Sequence, residues 1–219
     1  MTSNAQTPGL RERKKQRTRE LIADTARELF LERGFDAVTV AEIARQADVD
    51  TKTVYNYFSS KPELFYYRLE EFEQAMIDAV RDREAGLSIL AAFGRFILDQ
   101  HGVLGQADAS KRLRAITRTI VESPTLLAHE QQVFGRFTAS LAEAIAEETS
   151  AHPADVTPWA VANALLGVHR SLIDYVRRET LAGTPNRKLA HDVRAQAEQA
   201  LTALESGLAD YGVKEEPTL

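Results

Sequence analysis

Side chains that can donate hydrogen bonds lie at regular spacing in the segment TVYNYFSSKPEL. The hydroxyls of Tyr55 and Tyr57 and the ammonium of Lys61 can donate hydrogen bonds to phosphate oxygens. The amide of Asn56 can pair with adenine in a bidentate manner. These residue types at this spacing predict a surface that contacts the phosphates and base edges of DNA.

Catalysis is the competing class of function, and the residues that it needs are missing. His129 and Glu130 begin a zinc-binding pattern, but the second histidine of that pattern does not follow. The other histidines, at positions 101, 152, 169 and 191, have no ligand spacing. The sequence has no cysteine, Gly-rich phosphate loop or G-x-S-x-G elbow. We therefore expect no enzymatic activity, no metal and no cofactor.

Two helices should precede the segment. The first is predicted over about 11–33, with Gly34 as its C-terminal stop. The second begins where Thr39 and Glu42 can form a capping box. Its apolar residues recur at i, i+3, i+4 and i+7 and so give one buried face: Val40, Ile43, Ala44 and Ala47.

A third helix follows after a tight turn, so the second and third helices form a helix-turn-helix. Asp50 can cap the third helix, and Val54 and Phe58 lie four residues apart on its inner face. The outer face then carries the side chains that can reach base edges or phosphates: Thr51, Lys52, Tyr55 and Asn56. Lys52 favours the acceptors of guanine.

Helical patterns also fill the rest of the chain. Ser60 and Glu63 are expected to form another capping box, which starts a fourth helix that runs to about Arg83. Strand signals are nearly absent, and the prolines lie near the expected ends of helices. We therefore predict an all-α protein, with an N-terminal three-helix helix-turn-helix domain followed by a larger helical bundle.

Charge is unevenly distributed along this acidic chain. The formal net charge is -5, yet residues 1–61 hold 11 Lys and Arg against 9 Asp and Glu, out of totals of 27 and 32. Several basic residues form one run: Arg11, Arg13, Lys14, Lys15, Arg17 and Arg19. Such a run is typical of an arm that contacts DNA, and equally of a solvated tail that aids solubility.

The N-terminus passes from polar to basic residues without an apolar leader, and no apolar run approaches the roughly 18 residues that a membrane span needs. The absence of cysteine fits a reducing compartment. We expect a cytoplasmic protein with no membrane contact.

The run GFDAVTVAEIARQADVDTKTVYNYFSSKPELF resembles the signature of the TetR family of transcriptional regulators. The features in common are a glycine-aromatic pair, T-V-x-x-I-A, a valine in the turn, T-x-Y-x-Y-F and S-K-x-x-L, and the match covers about 18–65. Two departures are Asp48, where the family usually has glycine, and Pro62, where it usually has glutamate. Asp48 is tolerable in a left-handed conformation, which aspartate visits more readily than most residues.

The resemblance implies a DNA-binding head and a larger domain whose small-molecule ligand weakens binding to an operator. It implies phosphate contacts from Thr39, Tyr55, Tyr57 and Lys61, and base reading around Thr51 and Lys52. The complete set of expected DNA-binding residues is Thr39, Thr51, Lys52, Thr53, Tyr55, Asn56, Tyr57 and Lys61. Tyr57 is alternatively a half-buried residue that packs between helices 3 and 4.

The expected organisation is a flexible basic arm at 1–17, a helix-turn-helix domain at 18–64 and an effector-binding and dimerisation domain at 65–219. The last two helices have broad apolar faces, which suit either a homodimer interface, as the resemblance implies, or packing inside one subunit. These faces comprise Ala160, Val161, Ala164, Leu165, Val168 and Leu172 on one helix, and Val193, Ala197, Leu201, Leu204 and Leu208 on the other.

A ligand pocket in the larger domain should be mainly apolar with a few polar groups that orient the ligand. The candidate residues are Phe93, Phe96, Arg118, Phe134, Phe137, Trp159, Asn163, His169 and Tyr175. Each of them equally suits plain packing in a core or an interface. The sequence thus indicates a homodimeric repressor released from a palindromic operator by a small, largely apolar effector; the alternative is a DNA-binding or scaffold protein without an effector.

Tyr55→Phe and Lys61→Ala should each weaken binding to specific and to random DNA alike, because phosphate contacts carry no sequence information. The salt dependence of the affinity should become shallower for Lys61→Ala, since fewer counterions are released. Titrations of DNA duplexes at several salt concentrations measure both effects. Unchanged affinity in both variants would contradict the assigned roles.

Overall fold

The computed structural model describes residues 9–101 and 109–214, which form ten α-helices and no strand. The helices are α1 (Leu10–Arg33), α2 (Val40–Gln46), α3 (Thr51–Tyr57), α4 (Lys61–Phe65), α5 (Leu69–Arg81), α6 (Ile89–His101), α7 (Ala109–Val121), α8 (Pro124–Glu148), α9 (Thr157–Ala182) and α10 (Asn186–Leu208). The all-α prediction is confirmed. Within these residues, no helix combines the length and apolarity that crossing a membrane requires.

Helices α1–α4, here called the head, enclose one of two apolar cores. Gly34 ends α1 with a φ of 84°, and the turn after α2 has Asp48 at a φ of 55°, the left-handed conformation expected there. The buried residues of this core include Ile22, Phe30, Ile43, Val54, Phe58, Leu64, Phe65 and Tyr67. Ile120 of α7 and Leu126 of α8 belong to the same core, so the head packs directly on the rest of the molecule.

The junction between α4 and α5 differs from the sequence prediction. The Ser60 side chain caps no helix amide, so the predicted capping box with Glu63 is wrong. Instead the backbone N–H of Ser59 donates to the Glu63 carboxylate at 2.8 Å, and the Ser59 hydroxyl bonds to it as well. In addition, α4 ends at Phe65 and a turn over residues 66–68 precedes α5, so no continuous helix runs to Arg83.

Helices α5–α10, here called the body, enclose the second core. α8 packs along α9, and α10 packs on α6 and α9. Most residues of the two apolar faces that suited a dimer are buried in this core, among them Val161, Leu165, Leu172, Val193 and Ala197. These residues therefore pack inside one subunit, which is the second of the two alternatives that the sequence allowed.

The basic run near the N-terminus lies on a helix. α1 begins at Leu10, so Arg11, Arg13, Lys14, Lys15 and Arg17 occupy its first turns rather than a flexible arm. Residues 1–8 of the expected arm lie outside the described residues.

Arg83 fastens the C-terminal segment to the body. Its side chain is almost fully buried and pairs with Glu148, with 2.6 Å between guanidinium nitrogen and carboxylate oxygen. It also donates to the backbone carbonyl groups of Val80, Leu87 and Gly212. One arginine thus satisfies acceptors on three separate segments of the chain.

Arg83→Ala should lower the free energy of unfolding by about 3 kcal/mol or more, because it leaves a partly buried carboxylate and several carbonyl groups without a donor. The matched control is Arg81→Ala, which removes an exposed ion pair to Glu147 and should cost about 0.5 kcal/mol or less. Urea unfolding of the full chain measures both. Equal losses in the two variants would contradict the anchoring role of Arg83.

Candidate nucleic-acid interface and internal cavity

The outer face of α3 is free for contact with DNA. Asp50 caps the helix by accepting a hydrogen bond from the Thr53 amide at 2.5 Å, which also lowers the pKa of the Asp50 carboxyl. Val54 is buried on the inner face of α3, and so is Phe58, which follows its last turn. Four side chains are exposed on the outer face: Thr51, Lys52, Tyr55 and Asn56. The amphipathic pattern of this helix was readable from sequence, and the structure agrees with it.

Thr39 and Glu42 fix the start of α2 beside this face. The Thr39 amide donates to the Glu42 carboxylate at 2.8 Å, and the Glu42 amide donates to the Thr39 hydroxyl at 3.2 Å, as a capping box requires. Arg33 adds an ion pair to Glu42 at 2.8 Å. The Thr39 amide, and then Arg33, hold the pKa of Glu42 at about 2. Glu42 therefore stays ionised and keeps Thr39 exposed at the N-terminus of α2.

Lys61, Tyr57 and Thr53 are less exposed than the residues on the outer face of α3. The Lys61 ammonium donates to the backbone carbonyl of Phe35 at 2.6 Å and lies 4.2 Å from the centre of the Phe35 ring. Partial burial lowers the pKa of Lys61. One of its N–H groups is thus already used inside the head, and the others remain for phosphate. Tyr57 packs partly against the core of the head.

A cavity of about 720 Å³ lies in the body and reaches the head. Its wall is mainly apolar and includes Leu69, Phe72, Leu113, Ile116, Ile120, Val133, Phe134, Phe137, Ile173 and Val176. Thr117, Gln100 and His169 add polar groups, and the His169 ring stacks on Phe72 with 4.9 Å between ring centres.

The structure brings three of the predicted pocket residues together on this wall: Phe134, Phe137 and His169. Phe93 is fully buried in the core of the body, and Phe96 lies behind Phe72, with ring centres 5.2 Å apart. Tyr175 packs against the same core, with Arg178 over its ring. Three others are exposed and do not line the cavity: Arg118, Trp159 and Asn163.

A part-buried ion pair with a tyrosine partner lines the cavity. Arg177 of α9 makes two hydrogen bonds to the Glu130 carboxylate of α8, one of them at 2.9 Å. The Tyr66 hydroxyl donates to the same carboxylate at 3.0 Å. Burial, followed by the negative charge of Glu130, raises the pKa of Tyr66, so it remains a donor. Burial opposes the charge on Arg177, but the Glu130 carboxylate prevails and raises its pKa.

Sequence reasoning missed Tyr66, Glu130 and Arg177. Glu130 was noticed only as part of a failed zinc pattern. The signal that was available is Tyr66-Tyr67, which comes directly after the S-K-P-E-L-F segment. In the structure Tyr66 lines the cavity, whereas Tyr67 is buried in the core of the head and its hydroxyl donates to Asp24 at 3.3 Å.

Within the ranges that the structure describes, no group of three or more His, Asp or Glu side chains is placed to hold a metal ion.

Two family models match the chain. The model described as "Bacterial regulatory proteins, tetR family" matches residues 22–67, which comprise most of the head. The model described as "MftR C-terminal domain" matches residues 87–209, more than half of the chain.

Two known regulators are similar in sequence. The putative mycofactocin biosynthesis transcriptional regulator MftR of Mycobacterium tuberculosis is 28% identical over 190 residues, which are 83% of this chain and 91% of that protein. The HTH-type transcriptional regulator TcmR of Streptomyces glaucescens is 34% identical over 126 residues, which are 55% of each protein. The chain thus spans about half the length of TcmR.

Solved structures show the same fold. NalD of Pseudomonas aeruginosa, the secondary repressor of the MexAB-OprM multidrug efflux pump, superposes with a TM-score of 0.58 at 22% identity, over 89% of this chain and 97% of NalD. The SmeT–triclosan complex superposes with a TM-score of 0.54 at 19% identity, over 93% of this chain and all of SmeT. With both family models matched, the chain belongs to the TetR family of bacterial regulatory proteins and is a DNA-binding transcriptional regulator.

Proposed function

We propose that this regulator is a homodimeric repressor that leaves a palindromic operator when a small, largely apolar effector occupies the internal cavity. It acts in the cytoplasm and has no catalytic role of its own. The observation that carries the proposal is the position of Tyr66. This residue follows the last turn of α4 in the head, and its side chain lines the cavity in the body.

The proposed DNA contacts follow from exposure on the head. Tyr55 and Lys61, with Tyr57 in part, supply donors for phosphates. Thr39 joins them once its hydroxyl, which donates to the Glu42 carboxylate at 2.9 Å, turns towards a phosphate. Three exposed polar side chains of α3 read bases: Thr51, Lys52 and Asn56. Thr53, which is partly exposed, contributes beside them. Tyr55 supports this role. Its side chain is 53% exposed, although the inner face of the same helix is packed in the core of the head, so packing within the head does not account for a tyrosine at this position.

The proposed dimer uses the outer surfaces of the last two helices. On α9, four exposed residues follow one another at intervals of four: Trp159, Asn163, Gly167 and Ser171. The last three are small or are polar without charge. Such a stripe allows a second helix to approach closely, with Trp159 as a large apolar contact. A two-fold dimer presents two α3 helices to successive major grooves, and this matches a palindromic operator.

The cavity favours a regulator with an effector over a DNA-binding protein without one. Its volume of about 720 Å³ is within the range of small-molecule sites in proteins. Its wall is mainly apolar, and exposed apolar surface of this extent marks ligand-binding grooves. SmeT, which has the same fold, is known in complex with triclosan, a small molecule.

Selection of bound duplexes from a random DNA pool should yield a palindromic sequence, and native mass spectrometry should find an even number of chains on it. Gly167→Arg should disrupt the dimer and weaken operator binding by about tenfold or more, because a long charged side chain would enter the interface. A Cβ at Gly167 meets no atom within 4 Å, so the folded subunit itself tolerates the change. Gly135→Arg on α8 is the matched control, because its Cβ also meets nothing within 4 Å. A monomeric wild type on a non-palindromic sequence would refute the dimer.

Decan-1-ol, a neutral apolar probe, should lower the affinity for the selected operator by about fivefold or more, a modest allosteric coupling. Ala75→Phe should raise the concentration required, since Ala75 lines the cavity and a phenyl ring would occupy part of it. Ala128→Phe, at an exposed position of α8 that does not line the cavity, is the control. Fluorescence anisotropy of labelled operator measures the response. Equal responses of both variants and wild type would place the probe elsewhere and contradict the effector role of the cavity.

A further inference from the structure

The wall of the cavity carries two arginines that form no ion pair with a described residue. Arg27 of α1 and Arg68 of the turn before α5 both line the cavity, and neither forms an ion pair with an acid in the described ranges. Their guanidinium carbons lie 4.8 Å and 5.3 Å from the centre of the same ring, that of Tyr67. Two like charges are therefore held close together around one aromatic side chain.

Arg27 is half-buried, a position in which an arginine usually forms an ion pair with a carboxylate. Burial lowers its pKa, and the nearby positive charges of Arg112 and Arg68 act in the same direction against the field of Asp24. Asp24 does not form an ion pair with Arg27, and its carboxylate accepts from the Tyr67 hydroxyl instead. Stacking on Tyr67 leaves the N–H donors of the guanidinium without acceptors in the described structure. A half-buried cation keeps only part of its hydration, so an oxyanion that supplies acceptors is favoured beside it.

Arg68 is more exposed and has donors to spare. Its Nε donates to the Tyr67 hydroxyl at 2.8 Å, which raises its pKa, and the field of Glu71 raises it further without an ion pair. The remaining nitrogens of its guanidinium are available at the rim of the cavity.

A second charged group on the cavity wall is electrically balanced, because Glu130 and Arg177 neutralise each other. Most of the remaining wall is apolar, and its other charged residues are Arg27, Arg68 and Glu71. Three arginines thus face two carboxylates, so the charged part of the wall is cationic on balance. This combination suits a molecule with an apolar chain and an anionic end.

We propose that the effector is an anionic amphiphile, whose carboxylate or phosphate binds Arg27 and Arg68 on the cavity wall while its apolar chain fills the cavity. The inference rests on the proposed function of the cavity as the effector site. Guanidinium groups bind oxyanions through paired, charge-assisted hydrogen bonds, so an anion here supplies the acceptors that both arginines lack. A cationic end would meet two like charges, and a neutral end would leave them unpaired.

Such an anion would also join the two domains. Arg27 belongs to α1 of the head, whereas Arg68 immediately precedes α5 of the body. An oxyanion bound to both guanidinium groups fixes the distance between Arg27 and Arg68. The effector then influences the position of the head relative to the body, in addition to filling the cavity.

The test uses one alkyl chain with four different ends. Isothermal titration calorimetry of the full-length protein, below the micellar concentrations, compares decanoate, decyl phosphate, decan-1-ol and decyltrimethylammonium. At least one anion should bind about tenfold or more tightly than the alcohol, since charge-assisted hydrogen bonds are among the stronger polar contacts. The cation should bind most weakly. The order of decanoate and decyl phosphate identifies the preferred oxyanion.

The double variant Arg27→Gln with Arg68→Gln should bring the ratio of anion to alcohol affinity close to one. Arg95→Gln, an exposed arginine of α6 outside the cavity, is the matched control and should keep the wild-type ratio. If the double variant fails to fold, as judged by circular dichroism, the head-group series on the wild type still decides, and the single variant Arg68→Gln at the exposed rim replaces the double one.

The possible failures are distinguishable. Binding of decan-1-ol as tight as that of both anions would overturn the anionic preference but leave the cavity as an effector site. A preference for anions that survives the loss of both arginines would likewise overturn this inference. No binding by any of the four compounds would count against the proposed function itself.

Discussion

The carboxylate of Glu130 is the contact on which the geometry of both domains depends. It accepts hydrogen bonds from Arg177 of α9 and from Tyr66, which links the head to the body. Removing one partner of a fully buried ion pair costs about 3–5 kcal/mol because a charge is left uncompensated. The Glu130–Arg177 pair is part-buried, so its loss should cost less than that. Displacement of any one of these three residues therefore breaks a hydrogen bond to the Glu130 carboxylate. A ligand that contacts any of them from the cavity acts on the attachment of the head.

The turn between α4 and α5 exists because two adjacent tyrosines enter different surroundings. Tyr66 points to the cavity, whereas Tyr67 is buried in the core of the head. In a continuous helix neighbouring side chains diverge by only about 100° around one axis, and the turn over residues 66–68 changes the direction of that axis. Helical periodicity in the sequence favoured one longer helix here. The contacts that break it are made with residues of α1, α8 and α9, which are distant in sequence and therefore leave no local pattern.

Local signals explain which parts of the site could be predicted. Each signal that defines the α3 surface joins residues only three or four positions apart. These signals are the N-cap of α3, its inner residues Val54 and Phe58, and the capping box of α2. The exposed face of α3 could therefore be predicted from the sequence. The cavity is formed by side chains from seven helices and from the turn before α5. Phe134, Phe137 and His169 were found because aromatic residues on an amphipathic helix suit a pocket, but the same criterion also selected the core residue Phe93 and the exposed Trp159. No local pattern indicates which apolar face borders an empty space, and none identified Tyr66, Arg27 or Arg68.

The distribution of charge connects the two proposed activities. The acidic body suits a protein that contacts DNA only through its head, because a negative surface is repelled by phosphate wherever it comes near. Arg27 of the head and Arg68 of the turn before α5 line the cavity instead of the face of α3. Neither forms an ion pair with a described residue. On the proposed function, an anionic effector supplies the missing partner in the ligand-bound state alone. The ion pairs of the effector with Arg27 and Arg68 then stabilise the position that the head adopts in the ligand-bound state.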